Sequence, residues 1–235
     1  MKNNVDIAGV ANSNQSINAQ RTKTSHTNAQ RAKISHVNTQ RIKIAVFVSG
    51  NGSNLQALID AVNAETLQVD IVLVVFSNEK AYGIKRAEKA GIETLIFSPQ
   101  DYADPKKVDT QILQKLQERQ VQYLALAGYM RKITPVLLEA YPDKIINLHP
   151  ALLPAHKGAH AIEEAFEAGE KVTGITFHFI DENYDEGTII FQHEVSICST
   201  DTLESLEEKI HEQEHKYYPL VLQAVITQDF SSLRS

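Results

Sequence analysis

From residue 42 onward, short apolar runs rich in Val, Ile, Leu and Phe alternate with segments of helical periodicity. The predicted strands cover residues 42–48, 69–77, 93–97, 122–127 and 145–148. The predicted helices cover residues 53–63, 81–90, 105–119 and 134–140. Strands that alternate with helices form parallel βαβ units. The pattern therefore predicts an α/β protein with a doubly wound, mostly parallel sheet.

The region after residue 158 follows a different pattern. A further predicted helix at 159–168 precedes two alternating runs, 172–180 and 188–197, which are joined by the short segment "DENYDEG". A connection this short favours an antiparallel pair, which we expect at one edge of the sheet. A long predicted helix at 202–227 follows, so we expect a single domain over 42–228 and a tail at 229–235.

Composition narrows the class of protein. The single cysteine, Cys198, excludes a disulfide framework or a thiolate zinc site, and it favours a reducing compartment. The sequence has no apolar run long enough to cross a bilayer and no apolar signal segment, so a cytoplasmic protein is expected. Residues 41–235 hold 18 basic and 28 acidic side chains, which argues against a nucleic-acid partner.

The first forty residues are polar and repeat with a period of ten, as "NAQRTKTSHT", "NAQRAKISHV" and "NTQRIKI" show. Units this polar cannot bury a shared core, so a solenoid is not expected. We interpret residues 1–41 as a largely disordered extension that duplicates the start of the domain. A transit peptide is the alternative, because the stretch bears Arg and Ser and is poor in acids.

The segment "VFVSGNGSNLQALI", residues 46–59, joins the first strand to the first helix through a glycine-containing loop. We expect Ser53 or Asn54 to cap that helix, and its free backbone amides to form an anion cradle. The third glycine of a dinucleotide fingerprint would fall at Leu55, and no Lys-Ser/Thr pair follows as in a Walker A loop. A monophosphate ligand therefore fits better than a dinucleotide, and a turn without a ligand is the alternative.

Asn147 and His149 lie in "KIINLHPALLP", at the carboxyl end of the fifth predicted strand. Ligands of doubly wound sheets bind beyond the carboxyl ends of parallel strands. The two residues have the same parity, so both side chains can face one side of the sheet. If Asp185 in "NYDEG" lies close to His149, it raises the pKa of the imidazole and favours a charged group that can donate a proton or stabilise an oxyanion.

The terminal helix carries Glu214 on a stripe of apolar residues, with His211 one turn away. A carboxylate that faces the core needs a partner, either a protein donor or a polar ligand such as sugar hydroxyls or an amine. His156 and His160 have the spacing of metal ligands but lack the accompanying glutamate motif, so no metal site is expected.

Four motifs, "SGNGSNLQALID", "LAGYMRKI", "INLHPALLPAHKGAHA" and "YDEGTII", together resemble the phosphoribosylglycinamide formyltransferase family of purine biosynthesis. The resemblance implies a Rossmann-type formyltransferase fold and transfer of a formyl group from 10-formyltetrahydrofolate to glycinamide ribonucleotide. It implies small-molecule substrates, no metal, no nucleic acid and no membrane, in a monomer or homodimer. Ala151, Glu186 and Thr188 depart from the family pattern, and Pro105 stands where some members have a basic folate contact that Lys106 or Lys107 could replace.

The resemblance also assigns site residues. Asn147, His149 and Asp185 match the catalytic trio, of which Asn147 and His149 would stabilise the oxyanion formed when the amine attacks the formyl carbon. The ribonucleotide-binding residues would be Gly52, Ser53, Asn54, His211 and Glu214. The folate-binding residues would be Met130, Arg131, Lys132, Ile133, Asn147, Asp181 and Asp185.

Other readings remain open at this level. Methionyl-tRNA formyltransferase and formyltetrahydrofolate hydrolase share the Asn-His-Asp site. The first would need a basic RNA-binding domain, and the second usually carries an N-terminal regulatory domain that residues 1–41 are too short and polar to form. A nucleotide-binding module without catalysis is the alternative from another class, and it predicts phosphate-ester binding without folate binding.

Overall fold

The computed structural model describes residues 41–182 and 185–233, so the expected N-terminal extension lies outside the described residues except for Arg41. Within that part of the chain, seven strands form one sheet in the order β3-β2-β1-β4-β5-β6-β7. The strands are β1 (Ile42–Val48), β2 (Val69–Phe76), β3 (Thr94–Ile96), β4 (Tyr123–Leu126), β5 (Ile145–His149), β6 (Val172–Phe179) and β7 (Ile189–Ser196). The helices are α1 (Ser53–Asn63), α2 (Gly83–Lys89), α3 (Pro105–Glu118), α4 (Pro135–Ala140), α5 (Ala161–Glu167) and α6 (Leu203–Thr227).

The predicted fold class is confirmed. The first five strands are parallel, and each predicted helix or strand agrees with the structure to within two residues at either end. The antiparallel pair β6–β7 is also present, and β6 additionally pairs antiparallel with β5. The strand order reverses between β1 and β4, and that switch point opens a crevice at the carboxyl ends of the parallel strands.

Two apolar clusters bury the two faces of the sheet. Residues of alternating parity on β1 divide between them, with Ile44, Val46 and Val48 in one cluster and Ala45 and Phe47 in the other. The first cluster includes apolar residues of α1 and α6, and the second includes those of α3 and α4. This double coverage explains why β1 is apolar throughout rather than alternating.

Two sets of contacts fix the position of the last helix, α6. A capping box formed by Thr202 and Ser205 begins α6. Further along, the buried Tyr218 hydroxyl donates a hydrogen bond of 2.7 Å to the carbonyl of Leu126, the last residue of β4. These contacts hold Glu214, one turn before Tyr218, next to the carboxyl ends of the strands. None of the helices in the described part of the chain is long and apolar enough to cross a membrane.

The turn between β1 and α1 requires glycine at residue 52. Gly52 has φ of +73°, and it, rather than Ser53 or Asn54, is the N-cap residue, so the predicted cap was wrong. A Cβ atom added at Gly52 would lie 2.9 Å from the Cα of Gly83, the first residue of α2. The backbone of this turn therefore packs directly on the start of a second helix.

A Gly52→Ala substitution is expected to destabilise the protein, because alanine disfavours a left-handed backbone and its Cβ would collide with Gly83. The conformational cost alone is about 1–2 kcal/mol. Gly50→Ala in the same loop is the matched control, since an added Cβ at Gly50 meets nothing within 4 Å. Urea unfolding of the two variants measures the difference, and equal stabilities would contradict the packing described here.

Candidate active site

A cavity of about 260 Å³ lies at the carboxyl ends of the parallel strands. Gly52, Ser53 and Asn54 line one wall, and Glu207, His211 and Glu214 of α6 line the facing wall. The structure therefore brings all five residues predicted to bind the ribonucleotide to one cavity.

The first turn of α1 carries the anion-binding potential of this cavity. No side chain caps the first amides of the helix, so these groups face the cavity together with the positive end of the helix dipole. Arg86 holds the preceding loop in place by donating hydrogen bonds to the carbonyl and side-chain oxygens of Asn51 at 3.0 and 2.8 Å. A phosphate group is a suitable ligand for such a cradle.

Glu214 and Asn54 meet on the floor of the same cavity. Asn54 Nδ2 donates a hydrogen bond of 2.9 Å to Glu214 Oε2, and both side chains are buried. Burial raises the pKa of Glu214, against the opposing effects of the Asn54 hydrogen bond and the nearby His211. The Oδ1 atom of Asn54 has no protein hydrogen-bond partner among the described residues. A buried acid next to an unpaired acceptor suits a ligand that brings its own donors, such as hydroxyls or an amine.

A second, narrower cavity of about 50 Å³ lies on the other side of the same strand ends. The residues predicted to bind folate that line it are Arg131, Lys132, Ile133, Asn147, Asp181 and Asp185. Met130 differs from that prediction, because it is 65% exposed and lines the larger cavity instead. A third cavity, of about 500 Å³, shares Arg131, Lys132 and Ile133 with the second and extends to Tyr102 and Lys106.

The predicted trio is brought together around Asp185. Its Oδ2 atom lies 3.7 Å from His149 Nδ1 and accepts a hydrogen bond of 3.2 Å from the amide of Gly158. The other ring nitrogen of His149, Nε2, donates a hydrogen bond of 2.7 Å to the carbonyl of His156. Because a carbonyl oxygen can only accept, Nε2 of His149 carries a hydrogen.

Sequence reasoning missed a fourth polar residue, His178 on β6, which pairs directly with Asn147 on β5. The Nδ1 atom of His178 donates to the carbonyl of Phe179 at 2.9 Å, so Nε2 accepts from Asn147 Nδ2 at 3.0 Å. His178 Nε2 also lies 3.6 Å from Asp185 Oδ1. The signal in the sequence was a histidine inside the apolar run "ITFHFI", but placing it required the β5–β6 register.

The ionisation of His149 differs from the expectation. Burial lowers the pKa of His149 below its usual value of 6.5, and this effect exceeds the opposing contributions of the His156 carbonyl and Asp185. The prediction of a raised pKa was wrong because the imidazole is only 4% exposed. Burial therefore favours the neutral form of the His149 imidazole.

Asp185 has the opposite character. Burial alone would raise its pKa, but the neighbouring His178 and His149 side chains and the Gly158 amide together lower it. The site thus contains a carboxylate beside a neutral imidazole. Such a pair can accept a proton and hold it as an imidazolium stabilised by the carboxylate.

No group of three or more His, Cys, Asp or Glu side chains in residues 41–182 and 185–233 is arranged to hold a metal ion. Glu186, one of the departures from the family pattern, forms an exposed ion pair of 2.7 Å with Lys157. The loops that carry Asp185 and Gly158 are therefore joined by a side-chain contact as well as by a main-chain hydrogen bond.

Residues 42–222 match the model of the formyl transferase family, so the chain belongs to that family. Within it, the chain is 44% identical over 182 residues to phosphoribosylglycinamide formyltransferase of Bacillus subtilis, a match that covers 77% of this chain and 93% of that protein. The solved structure of glycinamide ribonucleotide transformylase 1 from Geobacillus kaustophilus superposes with a TM-score of 0.77 at 43% identity, covering 79% of this chain and 98% of that one.

A human relative places the same domain in a larger protein. The chain is 38% identical over 182 residues to the trifunctional purine biosynthetic protein adenosine-3 of Homo sapiens. That match covers 77% of this chain but only 18% of the human protein. The similarity therefore concerns one of several functional regions in that relative.

Proposed function

We propose that this protein transfers the formyl group of 10-formyltetrahydrofolate to the amine of glycinamide ribonucleotide, a step of purine biosynthesis. The observation that carries the proposal is the arrangement of two cavities on either side of the ends of β4 and β5, with Asn147 and Asp185 lining the narrower one and His149 Nδ1 3.7 Å from Asp185 Oδ2. The relatives named phosphoribosylglycinamide formyltransferase support the choice of substrate. The single cysteine is consistent with a cytoplasmic site of action.

The ribonucleotide occupies the cavity of about 260 Å³ between α1 and α6. Its phosphate lies on the amides at the start of α1, and its ribose and amine lie towards Glu214 and His211. The Asn54–Glu214 hydrogen bond uses one carboxylate oxygen and leaves the other, Oε1 of Glu214, for the ligand. This orientation directs the amine towards the strand ends where the trio lies.

The folate occupies the narrower cavity. The pteridine packs along Arg131, Lys132 and Ile133 and hydrogen-bonds near Asp181, while the tail extends into the adjoining 500 Å³ cavity. Lys106 lines that cavity, and the Arg131 guanidinium lies over the Tyr102 ring at 4.6 Å. These two cations can pair with the carboxylates of the folate tail. Met130, on the wall of the first cavity, separates the two substrates.

The chemistry follows from charge development. The amine attacks the formyl carbon, and a carbon–nitrogen bond forms while the carbonyl oxygen becomes negative. The second Nδ2–H of Asn147 stabilises this oxygen, and so does the Nδ1–H of His149 once it forms, because the Nε2–H is bonded to the His156 carbonyl. Asp185 accepts the proton that the attacking nitrogen releases and passes it to His149 Nδ1, which forms an imidazolium as the oxyanion forms.

Collapse of the tetrahedral species then breaks the bond between the formyl carbon and the folate nitrogen. The imidazolium returns its proton to that nitrogen, so the products are the formylated ribonucleotide and tetrahydrofolate. The lowered pKa of His149 suits this cycle, because the resting imidazole must be free to take up a proton. The protein contributes orientation, oxyanion stabilisation and proton transfer.

The experiment is a steady-state assay with both substrates and with the folate alone. We expect formyl transfer that depends on glycinamide ribonucleotide. Release of formate from the folate without the ribonucleotide would favour a hydrolase, and ribonucleotide binding without turnover would favour a binding module. Either outcome would contradict the proposed reaction.

Substitution of Glu214 by Gln is expected to weaken ribonucleotide binding while raising the stability of the protein at pH 7. Loss of a hydrogen bond to a charged group costs about 1.5–3 kcal/mol, so we expect the affinity for the ribonucleotide to fall by about 10- to 100-fold. Isothermal titration calorimetry measures this change. Glu212→Gln, at an exposed position on the same helix, is the control.

The same variant has an expected effect on stability with a definite sign. Because burial raises the pKa of Glu214 in the folded state, the wild type loses stability as pH rises above the usual carboxyl pKa of 4.5. Gln carries no charge and escapes this loss. We therefore expect the variant to have the higher free energy of unfolding at pH 7 and a similar one at pH 4. For the binding measurement, an unchanged ribonucleotide affinity in Glu214→Gln would contradict the proposed contact between Glu214 and the ligand.

A further inference from the structure

The orientation of His149 depends on a main-chain carbonyl seven residues further along the chain. His149 Nε2 donates a hydrogen bond of 2.7 Å to the carbonyl oxygen of His156. This bond fixes which ring nitrogen carries the hydrogen and leaves Nδ1 directed at Asp185, 3.7 Å away. Displacement of the carbonyl would therefore change both the tautomer and the angle of the imidazole.

The backbone at His156 has an unusual conformation. Its φ is +49°, in the left-handed region that non-glycine residues rarely occupy. A backbone held in this region needs surrounding contacts that over-determine it. The His156 side chain makes contacts of this kind.

The His156 imidazole is held by two carboxylates. Its Nε2 atom lies 2.8 Å from Glu170 Oε1, and its Nδ1 atom lies 3.5 Å from Glu164 Oε2 of α5. The side chain is only 15% exposed. Glu170 lies between the end of α5 and the start of β6, so the imidazole attaches the loop to the connection that precedes β6.

His156 is not among the residues that line the cavities of about 260 and 50 Å³ assigned to the two substrates. Gly158, two residues further on, nevertheless donates a hydrogen bond from its amide to Asp185. One short loop thus supports both members of the His149–Asp185 pair. On its other side, this loop is attached to the rest of the fold by the His156 side chain.

We infer that His156 is a positioning residue for formyl transfer: its side chain, held by Glu170 and Glu164, fixes the carbonyl that orients His149. The inference rests on the proposed function, because the catalytic consequence requires His149 to act in formyl transfer. It assigns a role to a residue that touches neither substrate. The role is exerted through the hydrogen bond to His149 Nε2 and not through the charge of His156.

The variant that tests the inference is His156→Asn. Asparagine tolerates the left-handed backbone, so the chain can follow the same path, but its side chain is too short to replace the contact with Glu170. We expect kcat to fall about tenfold, since small misplacement of a catalytic group is costly, while KM for both substrates changes by less than about twofold. A merely structural role would lower the amount of folded protein without this separation of kcat from KM.

Glu170→Ala tests the same contact without changing the residue in the left-handed region, and it serves if His156→Asn does not fold. We expect a loss of kcat no larger than that of His156→Asn, because the Glu164 contact remains. The double variant should lose no more than His156→Asn, which already lacks the Glu170 contact. Lys157→Gln is the matched loop control, since it breaks an exposed ion pair and should leave kcat within about twofold.

Nuclear magnetic resonance of ¹⁵N-histidine-labelled protein gives a readout that does not need turnover. The Nε2–H signal of His149, assigned by its loss in His149→Gln, should shift or broaden in His156→Asn and remain in place in Lys157→Gln. If the wild type transfers no formyl group, the proposed function fails while this measurement still tests the orientation of His149. An unchanged Nε2–H signal, an unchanged kcat in His156→Asn, or an equal loss in Lys157→Gln would overturn the inference.

Discussion

Replacing His149 with alanine is expected to lower kcat for formyl transfer by about 10²- to 10³-fold, the typical effect of removing one donor to an oxyanion. The physical reason is twofold. The Nδ1–H donor that forms when the imidazole takes up a proton is lost, and so is the group that receives the amine proton from Asp185. Ribonucleotide binding should persist, because His149 does not line the 260 Å³ cavity proposed to bind the ribonucleotide.

The measurement combines steady-state kinetics with calorimetric titration of glycinamide ribonucleotide. His149→Gln separates the two roles of the imidazole, since its amide can donate a hydrogen bond but cannot carry a proton between substrates. We expect it to remain strongly impaired. His193→Ala, on β7 outside the site, is the control for loss of an imidazole. Turnover near that of the wild type in His149→Ala would exclude the proposed mechanism.

Replacing Asp185 with asparagine is expected to lower kcat by about 10²-fold, within the range that a positioned acid–base group contributes. The substitution isolates charge, because asparagine accepts the left-handed backbone of this residue, whose φ is +52°. Its side-chain oxygen can still accept the hydrogen bond from Gly158. The lost feature is the negative charge beside His149 Nδ1.

The same variant should change the titration of His149. Because the charge of Asp185 raises the pKa of His149 against the effect of burial, its removal should lower that pKa further. Nuclear magnetic resonance titration of the His149 ring measures the change. A pKa that rises or stays constant would contradict the assigned interaction.

Stability supplies a second check on Asp185 with a definite sign. Its pKa is lowered in the folded state, so the carboxylate stabilises the wild type above the usual pKa of 3.8, and this contribution disappears as pH falls below that value. The free energy of unfolding of Asp185→Asn should therefore lie below that of the wild type at pH 7. The two curves should converge on acidification.

Local patterns were sufficient to predict most of the fold. Continuous apolar runs such as 42–48 and 69–77 predicted the buried parallel strands, because both faces of these strands are covered. The glycines of "SGNGSN" predicted a tight turn before α1, although the position of the cap was wrong. The reason is that Gly52 is required by the close approach of Gly83, a contact between segments far apart in the sequence.

The site was predictable only where its residues lie next to recognisable motifs. Asn147, His149 and Asp185 lie in segments that resemble a known family, and the structure brings them together. His178 was missed because its role follows from the antiparallel register of β5 and β6, which no local pattern encodes. The predicted rise in the pKa of His149 was wrong for a related reason, since the burial that lowers this pKa depends on the whole fold.

The position of α6 has a consequence for biosynthesis on the ribosome. Glu214 and His211 lie on the last long helix, and the Tyr218 hydroxyl joins that helix to the end of β4. Chains grow from the N-terminus and domains tend to fold as they emerge. The strand that carries Asn147 and His149 is synthesised well before the wall that α6 contributes to the 260 Å³ cavity. A nascent chain therefore completes this cavity last, after all seven strands of the described part of the chain have been synthesised.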